Sequence, residues 1–223
     1  MSERPQREVV YGRRPVAEAR RGRRTVRRVW ETPATDAAEL TRIAGSPDHQ
    51  GVVAKVDPYP YADSAELLER TDGLIVALDQ VQDPHNLGAV ARTAEAAGAD
   101  GLVIPSRRAA SVTAAAVKAS AGATEHLAIA RVANLAEWLA RAKEAGAWVY
   151  GADAGAPGSY TRTDLTGKVV LVLGSEGKGL RRLVAERCDA LIALPVRGRV
   201  ASLNVSAAAA ALLFEALRQR SGG

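Results

Sequence analysis

Three short stretches of this chain set polar side chains beside apolar surface, and any chemistry it performs would be done there. The first is Asp79 to Arg92, DQVQDPHNLGAVAR. Asp83-Pro84 forces a turn, Asn86 stands where a helix N-cap is expected, and Gly88 allows another backbone to approach. Arg92 follows about a turn and a half into the helix. It reads either as an anion binder or as a surface arginine paired with Glu95. The second stretch, LVLGSEGKGL from Leu171 to Leu180, runs a strand into a glycine-rich turn where a ligand could touch backbone amides. Its Glu176 reads either as an acceptor for local backbone N–H groups or as a functional carboxylate. The spacing is not that of a phosphate-binding loop, which needs four residues between its glycines and Ser or Thr after the lysine. Here Gly179 follows Lys178, so nucleotide hydrolysis is disfavoured. The third stretch, Leu191 to Arg220, combines an apolar strand, a loop with Arg197 and Arg199, and a long helix whose first turn holds Ser202, Asn204 and Ser206. Polar groups at a helix start ordinarily cap it, which accounts for Ser202 but not for the two that follow.

The elements around these stretches alternate. Apolar runs at Gly73–Leu78, Gly101–Ile104, Leu127–Ala130, Ala147–Tyr150, Lys168–Leu173 and Leu191–Leu194 read as strands. Helical spacing appears at Leu87–Ala97, Val112–Ala119, Leu135–Ala145, Leu180–Arg187 and in the terminal segment. This pattern predicts an α/β fold with a parallel sheet covered on both faces, and ligands in such sheets bind at the carboxyl ends of the strands. All three polar stretches fall at those ends. No dinucleotide fingerprint follows the first strand of the repeat. Ahead of it, residues 1–56 form a small α/β unit: an unstructured start at 1–8, a short helix around Pro15–Arg20, a strand near Thr25–Trp30, a short helix at Ala34–Ile43 and a strand at Gly51–Val56. Prolines at 58 and 60 mark residues 57–72 as a linker, with a short helix at Ser64–Arg70. The first unit, about 55 residues, would be marginal alone and would need RNA, a partner or docking onto the second.

Composition narrows the class. Hydrophobic residues make up 47% of the chain but aromatics only 4%, so Ala, Val and Leu must fill the core. No apolar run approaches the roughly 20 residues of a membrane span, and the Arg-rich start lacks the apolar region of a signal peptide. A soluble, cytoplasmic protein with no membrane partner is expected. Cys188 is the single cysteine and the three histidines are scattered, which rules out an internal disulfide and predicts no metal site. Of the net charge of +5, residues 1–30 carry +7, from ten arginines against Glu3, Glu8 and Glu18, and the remainder carries −2. A basic arm on a nearly neutral body is either a polyanion-binding element, with Arg13 and Arg14 as its RNA-contacting candidates, or a solvated tail.

Taken together, Asn86-Leu87-Gly88 with Arg92, Leu173-Gly174-Ser175-Glu176-Gly177, and Leu194-Pro195 with Ser202-Leu203-Asn204-Val205-Ser206 resemble the three signature motifs of the SpoU/TrmH RNA ribose methyltransferases. The resemblance covers residues 73–220, and DPHNLGAVART and SLNVS are similar to the bacterial ribosomal-RNA members. It implies a methyltransferase domain over 73–223 with a deep trefoil knot, which periodicity does not reveal, and a homodimer through the terminal helix. It also implies S-adenosylmethionine as cofactor, held largely by backbone around Ala152, Gly174, Leu194 and Leu203. By the same resemblance, Asn86, Arg92, Glu176, Ser202 and Asn204 form the catalytic and substrate-binding group. The ribosomal-RNA members carry an RNA-binding domain ahead of the catalytic one. Val10-Tyr11-Gly12-Arg13 and His49-Gln50-Gly51-Val52-Val53-Ala54 are similar to its start and end, whereas the middle, between Trp30 and His49, is shorter by about a strand and a helix.

The implied reaction moves a methyl group to a ribose 2′-hydroxyl, which needs in-line alignment and a route for the hydroxyl proton. The family's arginine has been assigned as the base, which is chemically awkward because guanidinium is essentially never deprotonated in proteins. Arg92 is better suited to binding the phosphate beside the target ribose and stabilising the developing alkoxide, with that phosphate accepting the proton. Ser202 and Asn204 are expected to position the ribose and cofactor loop, and Glu176 to orient the motif. Arg197 and Arg199 read as phosphate contacts or as a solvated loop. RNA is expected over DNA because its 2′-hydroxyl is the acceptor, and ribosomal over transfer RNA because of the N-terminal residues. The competing class is an RNA-binding or ribosome-assembly factor that keeps the fold without catalysis.

Overall fold

The computed structural model describes residues 8–199 and 202–222, so the unstructured start expected for residues 1–8 falls, Glu8 apart, outside the described residues. The chain opens with β1 (Glu8–Tyr11), α1 (Arg13–Ala19), β2 (Val26–Glu31), α2 (Ala37–Ala44) and β3 (Val52–Val56). The strands form an antiparallel sheet in the order β1-β3-β2. Between β2 and β3 stands one short helix, α2, started by the Asp36 carboxylate accepting from Glu39 N at 2.8 Å and stopped by Gly45 at φ 67°. Leu40, on the buried side of α2, packs with Tyr11 and Val53.

Residues 57–72 are packed rather than free-running. Tyr59 is buried and its hydroxyl donates to the Thr124 carbonyl at 2.7 Å, while Val112 N donates to the Tyr61 hydroxyl at 3.0 Å. Ala62 N reaches the Ile129 carbonyl at 2.9 Å, and Trp138 Nε1 the Ser64 carbonyl at 3.1 Å. The first unit is docked as well. Arg24 and Glu125, sealed from solvent at 1% and 0% side-chain exposure, form a two-pronged ion pair, and Arg24 Nη1 also donates to Glu8 at 2.9 Å. A unit of about 55 residues, expected to be marginal alone, is thus packed against its neighbour.

The larger part of the chain continues with β4 (Leu74–Asp79), α3 (Pro84–Ala96), β5 (Gly101–Pro105), α4 (Ala114–Ala119), β6 (Ala128–Val132), α5 (Leu135–Glu144), β7 (Trp148–Ala152), β8 (Gly158–Ser159), β9 (Val169–Gly174), α6 (Arg182–Ala185), β10 (Ala190–Ala193) and α7 (Val205–Arg220). Seven strands pair in the order β6-β5-β4-β9-β7-β10-β8, and every described pairing in this sheet is parallel. Alternate residues feed two cores, as the period of a strand requires. Leu74, Val76 and Leu78 pack with Leu87, Val90 and Leu212, whereas Ile75 and Ala77 pack with Trp138 and Leu139. The expected strands and helices are present. Four details differ: β1 is a strand where only a turn is expected, the helix expected at Ser64–Arg70 is a three-residue turn at Glu66–Leu68, the two-residue β8 is too short for an apolar run to announce, and α6 is a single turn, shorter than Leu180–Arg187. No described helix is long and apolar enough to cross a membrane.

Candidate functional site

The strand order reverses around β4 and β9, and the carboxyl ends of β4, β7, β9 and β10 open there together. Such a switch point is where parallel sheets bind ligands. A cavity of about 480 Å³ lies at the ends of β7, β9 and β10, against the start of α7. Ala152, Gly174, Leu194 and Leu203, the four expected cofactor contacts, all line it, as do Glu176 and Ser202. Its apolar wall includes Leu173, Ile192 and Val205. A smaller cavity of about 280 Å³ shares Ser175, Glu176 and Val205 with it and adds Asn86, Gln80 and Lys178.

The floor loop owes its shape to glycine. Gly179 N donates to the Ser175 carbonyl at 2.9 Å, and Gly177 and Gly179 take φ of 76° and 63°, values that glycine alone adopts freely. A Cβ on Gly174 would lie 2.2 Å from Gly179 C, so no larger residue fits beneath the returning chain. The loop is also tied to β4. Asp79, fully buried at the strand end, accepts from Arg181 Nε at 2.7 Å and from Arg181 N at 2.8 Å. Sequence reasoning passes over this pair, although an aspartate ending an otherwise apolar strand is the available signal.

Three of the expected side chains meet. Asn86 Nδ2 donates to Glu176 Oε1 at 2.9 Å, and Asn204 Nδ2 lies 2.6 Å from Glu176 Oε1 and 3.0 Å from Asn86 Oδ1. The ring closes across loops separated by 90, 28 and 118 residues. Asn86 is not the N-cap its position suggests. Asp83 caps α3 by accepting from His85 N at 2.9 Å, and Pro84 opens the helix, where its missing N–H costs nothing. The helix therefore starts three residues early and leaves the Asn86 amide free for the ring. At α7 the cap is Asn204, not Ser202: its Oδ1 accepts from Ser206 N at 2.8 Å while Nδ2 serves the ring. Capping and site-building are one arrangement here.

Arg92 is not brought to the ring within one chain. Six residues at about 100° each turn it roughly 120° away from Asn86 and carry it about 9 Å along α3. It is exposed and lines a different cavity, with Arg14, Ser120 and His126. The expected partner Glu95 lines the same cavity, but no described ion pair joins the two. Arg197 and Arg199 are exposed in the loop after β10, beside the larger cavity's Val196, and Arg13 and Arg14 are exposed at the head of α1. Among the described residues no group of His, Cys, Asp or Glu could hold a metal ion.

Comparison with known proteins agrees with this architecture. A family model described as the SpoU rRNA Methylase family matches residues 73–214. A Bacillus subtilis protein named a putative TrmH family tRNA/rRNA methyltransferase is 49% identical over 177 residues, 77% of this chain and 71% of the relative. A Synechocystis protein named an uncharacterized tRNA/rRNA methyltransferase is 39% identical over 96% of this chain, which spans 63% of that relative's length. Among solved structures, the SpoU methyltransferase AviRb from Streptomyces viridochromogenes in complex with AdoMet is similar at 31% identity and TM-score 0.81, covering 96% of this chain and 91% of AviRb. An AdoMet-bound rRNA methyltransferase from Sinorhizobium meliloti gives 26% identity and TM-score 0.84 over 95% and 87% of the two chains.

Proposed function

Because the chain belongs to the SpoU rRNA methylase family, whose knotted α/β architecture its parallel sheet shares, we propose that it methylates a ribose 2′-hydroxyl of RNA from S-adenosylmethionine. The first target is a guanosine of large-subunit ribosomal RNA. One observation carries the reading: the ring of Asn86, Glu176 and Asn204 stands beside a cavity floored by close-packed backbone. The residues present suit this cofactor. The apolar wall of Leu173, Ile192 and Leu194 accommodates a flat heterocycle, and strand-end backbone around Ala152, Gly174 and Leu203 offers donors and acceptors for its edges.

Bound there, S-adenosylmethionine supplies a methyl group already activated by a sulfonium, so the protein has no electrophile to generate. Its residues align and exclude. Asn86 and Asn204 fix the Glu176 carboxylate through one oxygen. Its second oxygen has no hydrogen-bond partner among the described residues and accepts the ribose hydroxyl. Ser202, on the cavity wall, holds the loop ahead of α7 over the cofactor. Arg92 is assigned to the RNA backbone, where a guanidinium that stays protonated binds phosphate bidentately; turned away from the ring within one chain, it leaves the hydroxyl proton to the free Glu176 oxygen. Arg197 and Arg199 flank the cavity as further phosphate contacts, and Arg13 and Arg14 extend them onto the first unit. The active form is a homodimer through α7, whose solvent side carries the half-exposed Phe214, working in the cytoplasm without a membrane partner.

The test is methyl transfer from labelled S-adenosylmethionine to total RNA of a strain lacking the enzyme, followed by size separation and mapping of 2′-O-methyl groups. Label at one nucleotide of large-subunit RNA supports the whole proposal. Label confined to small RNA moves the target to transfer RNA. Absence of label with cofactor binding intact favours a binding factor without catalysis.

A further inference from the structure

Two cavities away from the ring open on the seam between the first unit and the methyltransferase part. One, of about 540 Å³, is lined by Arg14 and Glu18 of α1 together with Arg92, Glu95 and His126. The other, of about 600 Å³, is lined by Arg13, Arg14 and Gln50 together with Lys118 at the end of α4. Arg14 and Ala121 line both, so the two adjoin there and make a two-part groove along the seam. From these residues we infer that the seam is an RNA-backbone track, in which Arg92 and Lys118 from one side and Arg13 and Arg14 from the other hold successive phosphates of a single strand. The inference rests on the RNA substrate proposed above and adds Lys118 and the joint groove to it.

Charge, availability and rigidity support the track. Among the described residues the guanidinium groups of Arg14 and Arg92 make no hydrogen bond or ion pair. Lys118 Nζ donates to the Asp48 carbonyl at 2.9 Å and stands 5.9 Å from the Tyr11 ring centroid, with N–H groups left over, and the Arg13 guanidinium uses only Nε, on the Gln50 carbonyl at 3.3 Å. Of the two carboxylates lining the groove, Glu18 is occupied by His126 at 2.9 Å and by Arg21 at 3.6 Å. That leaves Glu95 as an opposing charge. The walls cannot drift apart easily. A Cβ on Gly22 would lie 2.5 Å from Glu125 Cβ, and one on Gly122 would lie 2.6 Å from Glu18 Cβ, so the two units meet closely at both glycines as well as at the buried Arg24–Glu125 pair. Cations on two closely packed units are already positioned for phosphate, whereas a tethered domain would first have to be ordered.

The experiment measures binding of a fluorescently labelled single-stranded 20-nucleotide RNA to the full chain across a salt series, with S-adenosylmethionine binding followed in parallel. Removing one phosphate-binding cation lowers the slope of log affinity against log salt by about 0.7 for a single strand. The double variant Arg14→Gln/Lys118→Gln is expected to lower it by about 1.4 with cofactor binding unchanged. Glu95→Gln, which removes an opposing charge, is expected to tighten binding, and its opposite sign separates electrostatics from misfolding. An unaltered slope in the double variant, with the parent binding RNA, overturns the track alone. A parent that binds the cofactor but no RNA overturns the proposed substrate.

Discussion

Asn204 uses the two ends of one amide for two tasks: Oδ1 caps α7 through Ser206 N at 2.8 Å, and Nδ2 joins α7 to Glu176 and Asn86. The tasks can be separated. Asn204→Asp keeps an acceptor for the cap but loses the donor and sets a second carboxylate against Glu176. Methyl transfer is expected to fall by about 10² or more, as when a charge-positioning group is removed, while thermal unfolding shifts little. Like charges at this range raise the protonation pKa of the pair, so residual activity should rise as pH is lowered. A pH–rate profile alongside a melting curve checks both.

Gly174→Ala places a Cβ where the returning loop already runs, 2.2 Å from Gly179 C. The loop must move, and with it the cavity floor. Calorimetry should show S-adenosylmethionine affinity reduced by at least about tenfold, as expected when a built pocket loses its fit, and the parallel-sheet part should remain folded by circular dichroism.

Gly88→Ala tests the packing beneath the site. The added methyl would meet the Ala116 carbonyl oxygen at 2.4 Å and Ser120 N at 2.9 Å, backbone atoms of α4 and of the residue that caps its end. Overpacking of this kind costs about 1–3 kcal/mol, read as a lowered denaturation midpoint with an unchanged m-value.

Glu125→Gln leaves Arg24 buried with its principal counter-charge removed. Breaking a buried pair from one side costs about 3–5 kcal/mol. The destabilisation should appear as faster hydrogen exchange in residues 8–56 before the parallel sheet loosens.

Burial, and secondarily Asp189, push the Cys188 thiol from its ordinary 9 up to about 12. At pH 9 the folded protein should therefore resist a thiol-specific reagent that reacts at once after denaturation. Above pH 9 the unfolded chain releases this proton first, so stability conferred by the buried thiol declines as pH rises from about 9 toward 12.

Most of the architecture is legible in the sequence because buried parallel strands are apolar throughout: LIVALD and VVLVLG declare themselves. The site is legible as residue types, less so as directions. Asn86 reads as a cap only until Asp83-Pro84 is seen to begin the helix earlier. The divergence of Arg92 from Asn86 is already contained in their separation of six residues, a number that does not return to the same helix face. The docking of residues 8–72 is not legible. Its main contacts, Arg24 to Glu125 and Tyr59 to Thr124, join positions 101 and 65 residues apart, and no local pattern announces a pairing at that range.

The placement of β9 also bears on how the chain reaches its native state. In the finished sheet β4 is flanked by β5 and β9, yet β9 follows it by some ninety residues. Until that later strand arrives, one edge of a strand that is apolar but for its last residue stands bare. Such an edge invites pairing with another chain, and non-local pairings of this length form slowly. Refolding yield should accordingly fall as protein concentration rises, and a chaperone that shields strand edges should restore it.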